Sequence, residues 1–276
     1  KPCASKIKRN KTPCILKRLK MYKTLFFCIT SLLLFTCKKE VSKEKTAKKV
    51  IVKNELKTKS GYSYDKDFVL GKFNYKTDTS FIKISSKHSS KPIYLKKEVY
   101  SAFKKMFADA QKEGITLIVV SGTRSFYEQK SIWERKWDKY KNLNPIDRTK
   151  KILEYSSMPT TSRHHWGTDL DLINLNNTYF ESGKGKKEYE WLVKNANDFG
   201  FFQVYTSKES SRTGYNSEKW HWSYLPLASN YLHYYNETIS YRDIDGFKGS
   251  EFAKKVKIIA NYVNGISSES PYQKHP

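Results

Sequence analysis

Apolar residues recur at two different spacings after about residue 60, and these spacings separate predicted helices from predicted strands. Helical spacing predicts helices at 96–112, 127–140, 146–155 and 187–199, with a terminal helix at 247–263. Short β-branched or alternating runs predict strands at 115–120, 168–175, 201–205 and 220–224. Residues 62–84 are expected to hold further extended segments. Because these elements follow no regular alternation, the pattern predicts a single domain of the α+β class.

The first 60 residues differ from the rest of the chain in charge. They carry 18 Lys and Arg against 3 Asp and Glu, whereas the whole chain carries 52 against 27 and has a formal net charge of +25. Most of the positive charge therefore belongs to a tail, and basic tails are commonly solvated linkers or membrane-proximal segments. For this reason we expect no nucleic-acid binding.

Residues 21–37 have the layout of a lipoprotein-type signal peptide. A short basic start at Met21 is followed by an apolar run that ends at Phe35, which is too short to span a bilayer stably. The sequence Leu-Phe-Thr-Cys that ends at Cys37 resembles a bacterial lipobox, in which the cysteine is lipidated. An ordinary signal peptide with an incidental cysteine is the alternative. The first interpretation predicts export to the cell envelope and a membrane anchor at Cys37.

Composition also predicts where the other segments of the chain begin and end. Residues 1–20 are interpreted as upstream sequence or an overlong start. Residues 38–61 are rich in lysine and poor in aromatic residues, which predicts a disordered tether and leaves 62–270 for a folded domain. All four cysteines precede residue 38, so the domain has no internal disulfide and no cysteine ligand. A metal held by the domain would need His, Asp or Glu.

Two short segments, 162–171 and 218–221, contain the residues best suited to metal chemistry. His164 and Asp171 lie in the first segment, and Glu218 and His221 lie in the second. Histidine nitrogen and carboxylate oxygen are usual ligands of a catalytic zinc that keeps one position open for water. Without the second segment, a core histidine and a turn aspartate would be the simpler interpretation. A histidine flanked by two tryptophans is costly to bury unpaired, however, and Glu218 can lie close to His221.

Four segments together resemble the VanY-type D-alanyl-D-alanine carboxypeptidases. The pattern Ser-x-His-x-x-Gly-x-x-x-Asp at 162–171 is followed by Glu-x-Trp-His at 218–221. The pattern Ser-Gly-Thr-Arg-Ser-x-x-x-Gln at 121–129 and the stretch 191–201 also match, in the family's order within residues 95–225. Zinc peptidases of this kind share a core with the Hedgehog N-terminal domain. The resemblance therefore implies one compact α+β domain with a small antiparallel sheet flanked by helices.

The resemblance also implies a role for each matching residue. Three side chains are expected to bind Zn²⁺: His164, Asp171 and His221. Glu218 is the expected catalytic base. Arg124 is expected to bind a carboxylate or a developing oxyanion through its fixed fork of donors, with an ordinary surface arginine as the alternative. The residues expected to bind substrate are Ser125, Gln129 and Ser162.

Two positions depart from the family pattern. Thr123 replaces the usual aromatic residue before Arg124, which changes the expected pocket wall. Asp169 stands where many members have a small residue, and on a strand it would face the same side as Asp171. It either orients a ligand or competes for the metal, and we favour the first because ligands usually need oriented partners. The pocket walls are expected to include His165, Trp166, Trp220 and Trp222.

These expectations favour a monomeric zinc carboxypeptidase that removes the terminal D-amino acid from peptidoglycan stem peptides. Zinc would lower the pKa of its water to about 7 and polarise the scissile carbonyl, while Glu218 moves the proton. Three alternatives stay open: an endopeptidase with the same zinc site, a non-catalytic wall-binding lipoprotein, and a basic envelope protein that binds anionic polymers. The last predicts strong salt dependence and insensitivity to chelators.

Overall fold

The computed structural model describes residues 64–210 and 212–268. In these ranges the α-helices are Lys66–Val69 (α1), Lys97–Lys112 (α2), Phe126–Lys139 (α3), Pro145–Ile152 (α4), Gly183–Asn195 (α5) and Leu225–Thr238 (α6). The β-strands of the same ranges are Phe81–Lys83 (β1), Tyr94–Lys96 (β2), Val119–Ser121 (β3), Asp169–Leu172 (β4), Phe201–Gln203 (β5) and His221–Tyr224 (β6). Helices surround small antiparallel sheets, which confirms the predicted α+β class.

The four-stranded sheet determines the positions of the chemically important side chains. Its strand order is β3-β4-β6-β5, and every neighbouring pair is antiparallel. Asp171 pairs with His221, and Asp169 pairs with Ser223. Because successive side chains alternate between the faces of a strand, these four polar residues share one face of the sheet.

The opposite face of the same strands is apolar. Leu170 and Trp222 form a cross-strand pair that packs, with Leu172, into a buried cluster together with Phe103 of α2 and Leu192 of α5. Burial of these side chains anchors the sheet on the two helices. The polar face of the sheet therefore points away from α2 and α5.

A second core, rich in aromatic residues, includes Trp166 of the segment 162–171. Trp133 of α3 is fully buried and donates a hydrogen bond to Lys248 O at 2.8 Å. Trp166 is buried in the same cluster and donates to Val69 O at 3.1 Å. Each indole N–H therefore has a partner, as buried tryptophans require.

Four of the five predicted helices are present, and their sequences show why. Buried side chains of α2 recur at intervals of four, three and four residues: Val99, Phe103, Met106 and Ala110. Ser125 begins α3 through a capping box, in which its hydroxyl accepts from Glu128 N and Glu128 accepts from Ser125 N. In α4, Pro145 occupies the first helical turn, where its missing N–H costs nothing. The helix predicted at 187–199 is found as α5 followed by a 3-10 turn.

Two strand predictions need correction. The described residues 64–84 are not a series of extended segments, because Asp65 accepts a hydrogen bond from Phe68 N at 2.9 Å and so begins α1. In the described part of this stretch, only β1 is a strand. The strand predicted at 115–120 is displaced and begins at Val119, because Ile115 N still donates to Ala110 O at the end of α2.

The terminal helix predicted at 247–263 is wrong. This stretch forms a 3-10 turn at Ser250–Phe252 and a π-helical turn at Ile259–Val263. Between them Lys257 has a φ of 52°, in the left-handed region that a right-handed helix cannot contain. Val256 is nevertheless buried at 7% exposure, so the apolar spacing reflected burial rather than a continuous helix.

Besides α1, helix α6 and strand β2 were not anticipated from the sequence. The buried face of α6 contains three tyrosines beside Leu225 and Ala228. Strand β2 pairs with β1 in a hairpin whose strands are only three residues long. Both carry too little aliphatic periodicity for a local pattern to reveal them.

The predictions for the N-terminal region lie outside the described residues. They are the upstream segment 1–20, the signal peptide 21–37 with Cys37, and the tether 38–61. The domain limits of 62 and 270 also stay a prediction. Within the part of the chain that the structure describes, no helix has the length and hydropathy needed to cross a bilayer.

Candidate active site

The segment 162–171 turns sharply before it enters β4. A 3-10 turn at Arg163–Trp166 ends at Gly167, which has a φ of 71°. A Cβ at this position would lie 2.3 Å from a ring carbon of Phe81, so only glycine fits. The turn brings His164 back toward Asp171, which explains why the motif needs its glycine.

Three predicted ligands meet at one place. His164, Asp171 and His221 each offer a ligand atom within 4.8 Å of the others, and all three side chains are buried. Asp171 Oδ1 lies 3.4 Å from His164 Nε2 and 3.1 Å from His221 Nδ1. Two imidazole nitrogens and one carboxylate oxygen, with no cysteine, form a donor set that fits a catalytic zinc.

The other nitrogen of each histidine has an orienting partner. His164 Nδ1 lies 2.8 Å from the carbonyl oxygen of Gly122, and His221 Nε2 lies 2.9 Å from Asp169 Oδ1. The carbonyl oxygen can only accept, so His164 carries its proton on Nδ1 and directs the lone pair of Nε2 toward Asp171. A His221 that keeps its proton on Nε2, toward Asp169, would likewise offer Nδ1 to a metal.

Asp169 lies behind His221 and outside the three-residue cluster. Its Oδ1 also accepts from Arg163 Nε at 3.0 Å, and its Oδ2 accepts from Thr168 Oγ1 at 2.6 Å. Asp169 and Arg163 are almost completely buried, at 0% and 1% exposure. This position favours the orienting role over competition for the metal.

Burial and neighbouring charges together set the ionisation of the clustered side chains. Burial alone would raise the pKa of Asp169 and Asp171, but Arg163 beside the first and His164 beside the second hold both pKa values below the usual range. Burial opposes the charged form of His221, yet its hydrogen bonds to the two aspartates raise its pKa to about 9. Burial lowers the pKa of His164. Two ionised carboxylates thus face two imidazoles in a site with little water.

Glu218 lies beside this cluster on a segment without regular structure. Its Oε2 is 3.7 Å from His221 Nδ1, and its side chain is buried. Burial raises the pKa of Glu218 to about 8, and the negative charge of Asp171 acts in the same direction, while His221 and Arg124 oppose it. A buried carboxyl with a displaced pKa beside a metal-type cluster is characteristic of a proton-transfer group.

These side chains open into a cleft of about 680 Å³. It is lined by the three clustered residues and Glu218, together with Arg124, Gln129, Lys136, Tyr155, Leu175, Asn177 and Trp220. Tyr155 and Leu175 are exposed at 44% and 51% and supply apolar surface at its edges. The cleft is large enough for a short peptide and combines charged and apolar walls.

Not every predicted substrate contact lines the cleft. Arg124 does, with one guanidinium nitrogen 2.8 Å from Ser121 Oγ and 3.8 Å from Asp171 Oδ2. Gln129 lines it too and donates to Ser157 O at 2.7 Å. Ser125 instead caps α3, and Ser162 is buried at 1% exposure outside the lining. Substrate contact by these two serines stays a prediction.

Three of the four expected pocket walls lie elsewhere. Trp220 does line the cleft. His165 is fully buried behind it, where its Nδ1 lies 2.7 Å from Arg124 O and its Nε2 accepts from Thr160 N. Trp166 and Trp222 belong to the two hydrophobic cores. Proximity in sequence to a ligand misled the prediction, because neighbouring residues point in different directions.

Lys136 and Asn177 were missed by the sequence analysis. Lys136 lies on the face of α3 that also carries Gln129 and Ile132, at positions i, i+3 and i+7. That helical spacing from a motif residue is a signal that could have identified it. Asn177 lies in a loop after β4, and no local pattern relates it to the site.

Comparisons with known proteins place the site within a stretch that matches one family. Residues 92–227 match the family model described as VanY: D-alanyl-D-alanine carboxypeptidase. YodJ of Bacillus subtilis (strain 168) is provisionally named a carboxypeptidase. It is 32% identical to this chain over 138 residues, which cover 48% of this chain and 46% of YodJ. A D-alanyl-D-alanine carboxypeptidase of Enterococcus faecalis (strain ATCC 700802 / V583) is 30% identical over 126 residues, 45% of this chain and 46% of that protein.

Solved structures include the vancomycin-resistance D,D-pentapeptidase VanY in complex with Zn(II). It is 23% identical, with 58% of this chain and 87% of that chain covered and a TM-score of 0.45. The chain spans about half the length of the two curated relatives named above. The matched residues 92–227 contain every site residue described above, so the similarity to the VanY family covers the whole candidate site.

Proposed function

We propose that this protein is a zinc-dependent carboxypeptidase that releases the terminal D-amino acid from peptidoglycan stem peptides. The observation that carries the proposal is the buried cluster of His164, Asp171 and His221 with Glu218 at its edge. The match to the VanY family model supports the substrate class, a peptide bond between two D-alanines. The related Enterococcus faecalis protein is named for this activity.

The three clustered residues would hold zinc, which acts as a Lewis acid and lowers the pKa of water to about 7. Glu218 accepts the proton of the attacking water and returns it to the leaving amine. A divalent cation favours the ionised form of a neighbouring carboxyl, so it counteracts the effect of burial on Glu218. These four side chains are buried at the base of the cleft, which strengthens each of these electrostatic interactions.

Arg124 and Gln129 are assigned to substrate binding. Arg124 Nε and Gln129 Oε1 are buried, and within residues 64–210 and 212–268 neither has a hydrogen-bond partner. Buried polar atoms are rarely left unpaired unless a ligand or water completes them. Arg124 suits the substrate's carboxylate or developing oxyanion, and Ser125 and Ser162 are proposed to assist from the segments that hold α3 and His164.

The deciding experiment follows defined muropeptides by mass spectrometry. A pentapeptide that ends in two D-alanines should lose one D-alanine, and the loss should disappear with a chelator or in Glu218→Gln. Cleavage of internal bonds alone would identify an endopeptidase with the same site. Binding without any cleavage would identify a wall-binding protein, and the carboxypeptidase proposal would be abandoned.

The substrate class places the site of action outside the cytoplasm. We propose that the protein reaches the cell envelope by the signal at 21–37 and is anchored through Cys37, as the lipobox resemblance indicates. Radiolabelled fatty acid should be incorporated into the wild-type protein and not into Cys37→Ala. Equal labelling of both would contradict the anchor. The monomeric state and the lack of nucleic-acid binding stay predictions.

A further inference from the structure

We propose that Asn177 is a positioning residue for Glu218. The inference rests on the proposed function, because Glu218 has a catalytic task only in that reaction. Asn177 lies outside the four segments that carry the family resemblance. Its assignment depends on contacts that the tertiary structure creates between a loop after β4 and the segment before β6.

The side chain of Asn177 forms hydrogen bonds with the backbone on both sides of Glu218. Its Nδ2 donates to Ser217 O at 2.7 Å, and its Oδ1 accepts from Lys219 N at 3.1 Å. The residues before and after Glu218 are therefore held by one amide group. Both hydrogen bonds link positions separated by about forty residues in sequence.

Glu218 depends on such contacts because its segment has no regular secondary structure of its own. Its own backbone has three further partners: Glu218 N donates to Tyr205 O at 2.9 Å, and Glu218 O accepts from Gln203 Nε2 at 3.1 Å and from His221 N at 3.2 Å. Tyr205 and Gln203 lie on the β5 side of the segment. Asn177 supplies the restraint from the β4 side.

Strand β4, which carries the predicted zinc ligand Asp171, also positions Asn177. β4 ends one residue after Asp171, and Ile173 follows with a φ of 70°, which redirects the chain into the loop. Asn176 Oδ1 accepts from Thr178 N at 3.1 Å and begins the 3-10 turn in which Asn177 is the first residue. A β-branched residue in left-handed conformation costs energy, and such strain is often found at functional sites.

The consequence is a fixed distance between the metal-type cluster and Glu218. Asn177 connects the end of β4 to the Glu218 backbone, so movement of Glu218 away from Asp171 and His221 would break both of its hydrogen bonds. Misplacement of a reacting group by about 1 Å can cost about a hundredfold in rate. A positioning role thus predicts a loss of turnover rather than of substrate affinity.

The test compares Asn177→Ala with Asn174→Ala in the full-length zinc-loaded protein. Asn174 lies in the same loop, where its Oδ1 accepts from Asn176 N at 3.0 Å, and it does not line the cleft. Asn177→Ala should lower kcat by about ten- to hundredfold with KM and zinc content within about twofold of wild type. Asn174→Ala should leave all three within about twofold.

A double mutant shows whether the effect passes through Glu218. In a Glu218→Gln background, Asn177→Ala should cause almost no further loss, because residues that act as a unit are not additive. A full additional loss would overturn the inference. So would an increase in KM with unchanged kcat, which would make Asn177 a substrate contact.

Hydrogen exchange gives a readout that does not need activity. The Lys219 amide should exchange faster in Asn177→Ala than in wild type and remain protected in Asn174→Ala. Unchanged exchange would overturn the inference. A wild-type protein that releases no D-alanine would overturn the proposed function instead, so the two failures are distinct.

Discussion

His221 Nε2 lies 2.9 Å from Asp169 Oδ1, on the side of the ring that faces away from Asp171. The same carboxylate oxygen accepts from Arg163 Nε at 3.0 Å. One buried aspartate therefore orients a predicted metal ligand and neutralises a buried arginine. Its two tasks can be separated by measuring metal affinity and stability in the same variant.

Asp169→Asn should weaken zinc binding by about ten- to a hundredfold, the usual effect of removing an orienting partner. It should also lower the free energy of unfolding by about 3 kcal/mol, because Arg163 stays buried without its counter-charge. Chelator competition and urea denaturation measure the two quantities. Asp109→Asn, which breaks an exposed pair with Lys112, is the matched control and should change stability by less than about 1 kcal/mol. Unaltered zinc affinity in Asp169→Asn would show that His221 needs no orientation.

Glu218→Gln should lower kcat by about 10²- to 10⁴-fold and leave zinc content unchanged. The amide preserves the shape of the side chain but cannot accept the proton, and Glu218 does not belong to the clustered ligand set. Release of D-alanine and metal analysis on the same sample provide the measurement. Loss of zinc together with activity would indicate that Glu218 is a ligand rather than a base.

Removal of the metal should abolish activity and lower stability. Zinc that binds only the folded protein stabilises it by about 2.7 kcal/mol when free zinc is a hundred times its Kd. The melting temperature should therefore fall on chelation and recover when zinc is restored. His164→Ala should show no such zinc-dependent shift, whereas His233→Ala, at an exposed position on α6, should behave as wild type. A zinc-dependent shift of full size in His164→Ala would contradict the ligand assignment.

Lys96 should make stability rise with pH in the alkaline range. Its ammonium lies 4.4 Å from the ring centre of Phe81 and 4.6 Å from that of Phe68, and burial lowers its pKa from 10.5 to about 8. Between pH 8 and 10.5 the unfolded chain therefore binds more protons at this residue than the folded protein. The free energy of unfolding should rise across this window by up to about 2 kcal/mol.

Urea denaturation at several pH values tests this prediction through the difference between wild type and Lys96→Met. The variant should lack the rise that wild type shows. Lys97→Met, at the exposed neighbouring position, is the control and should retain it. An identical slope in wild type and Lys96→Met would exclude Lys96 as the cause.

Local sequence patterns were sufficient for the elements whose formation depends on near neighbours. The apolar face of α2 and the capping box at Ser125 and Glu128 are set within one or two helical turns, and both are present. Gly167 differs, because its close approach to Phe81 is a contact between residues far apart in the sequence. Helix periodicity and capping are local interactions, so the sequence alone determines them.

The sequence by itself determined which side chains can bind a metal in this domain, since only His, Asp and Glu are available after the last cysteine. The tertiary structure decided how they are arranged. Antiparallel pairing of β4 with β6 placed His221 between Asp169 and Asp171, and the fold carried Asn177 to Glu218. Pairing between segments about fifty residues apart depends on burial of the whole apolar face of the sheet. No local spacing contains that information.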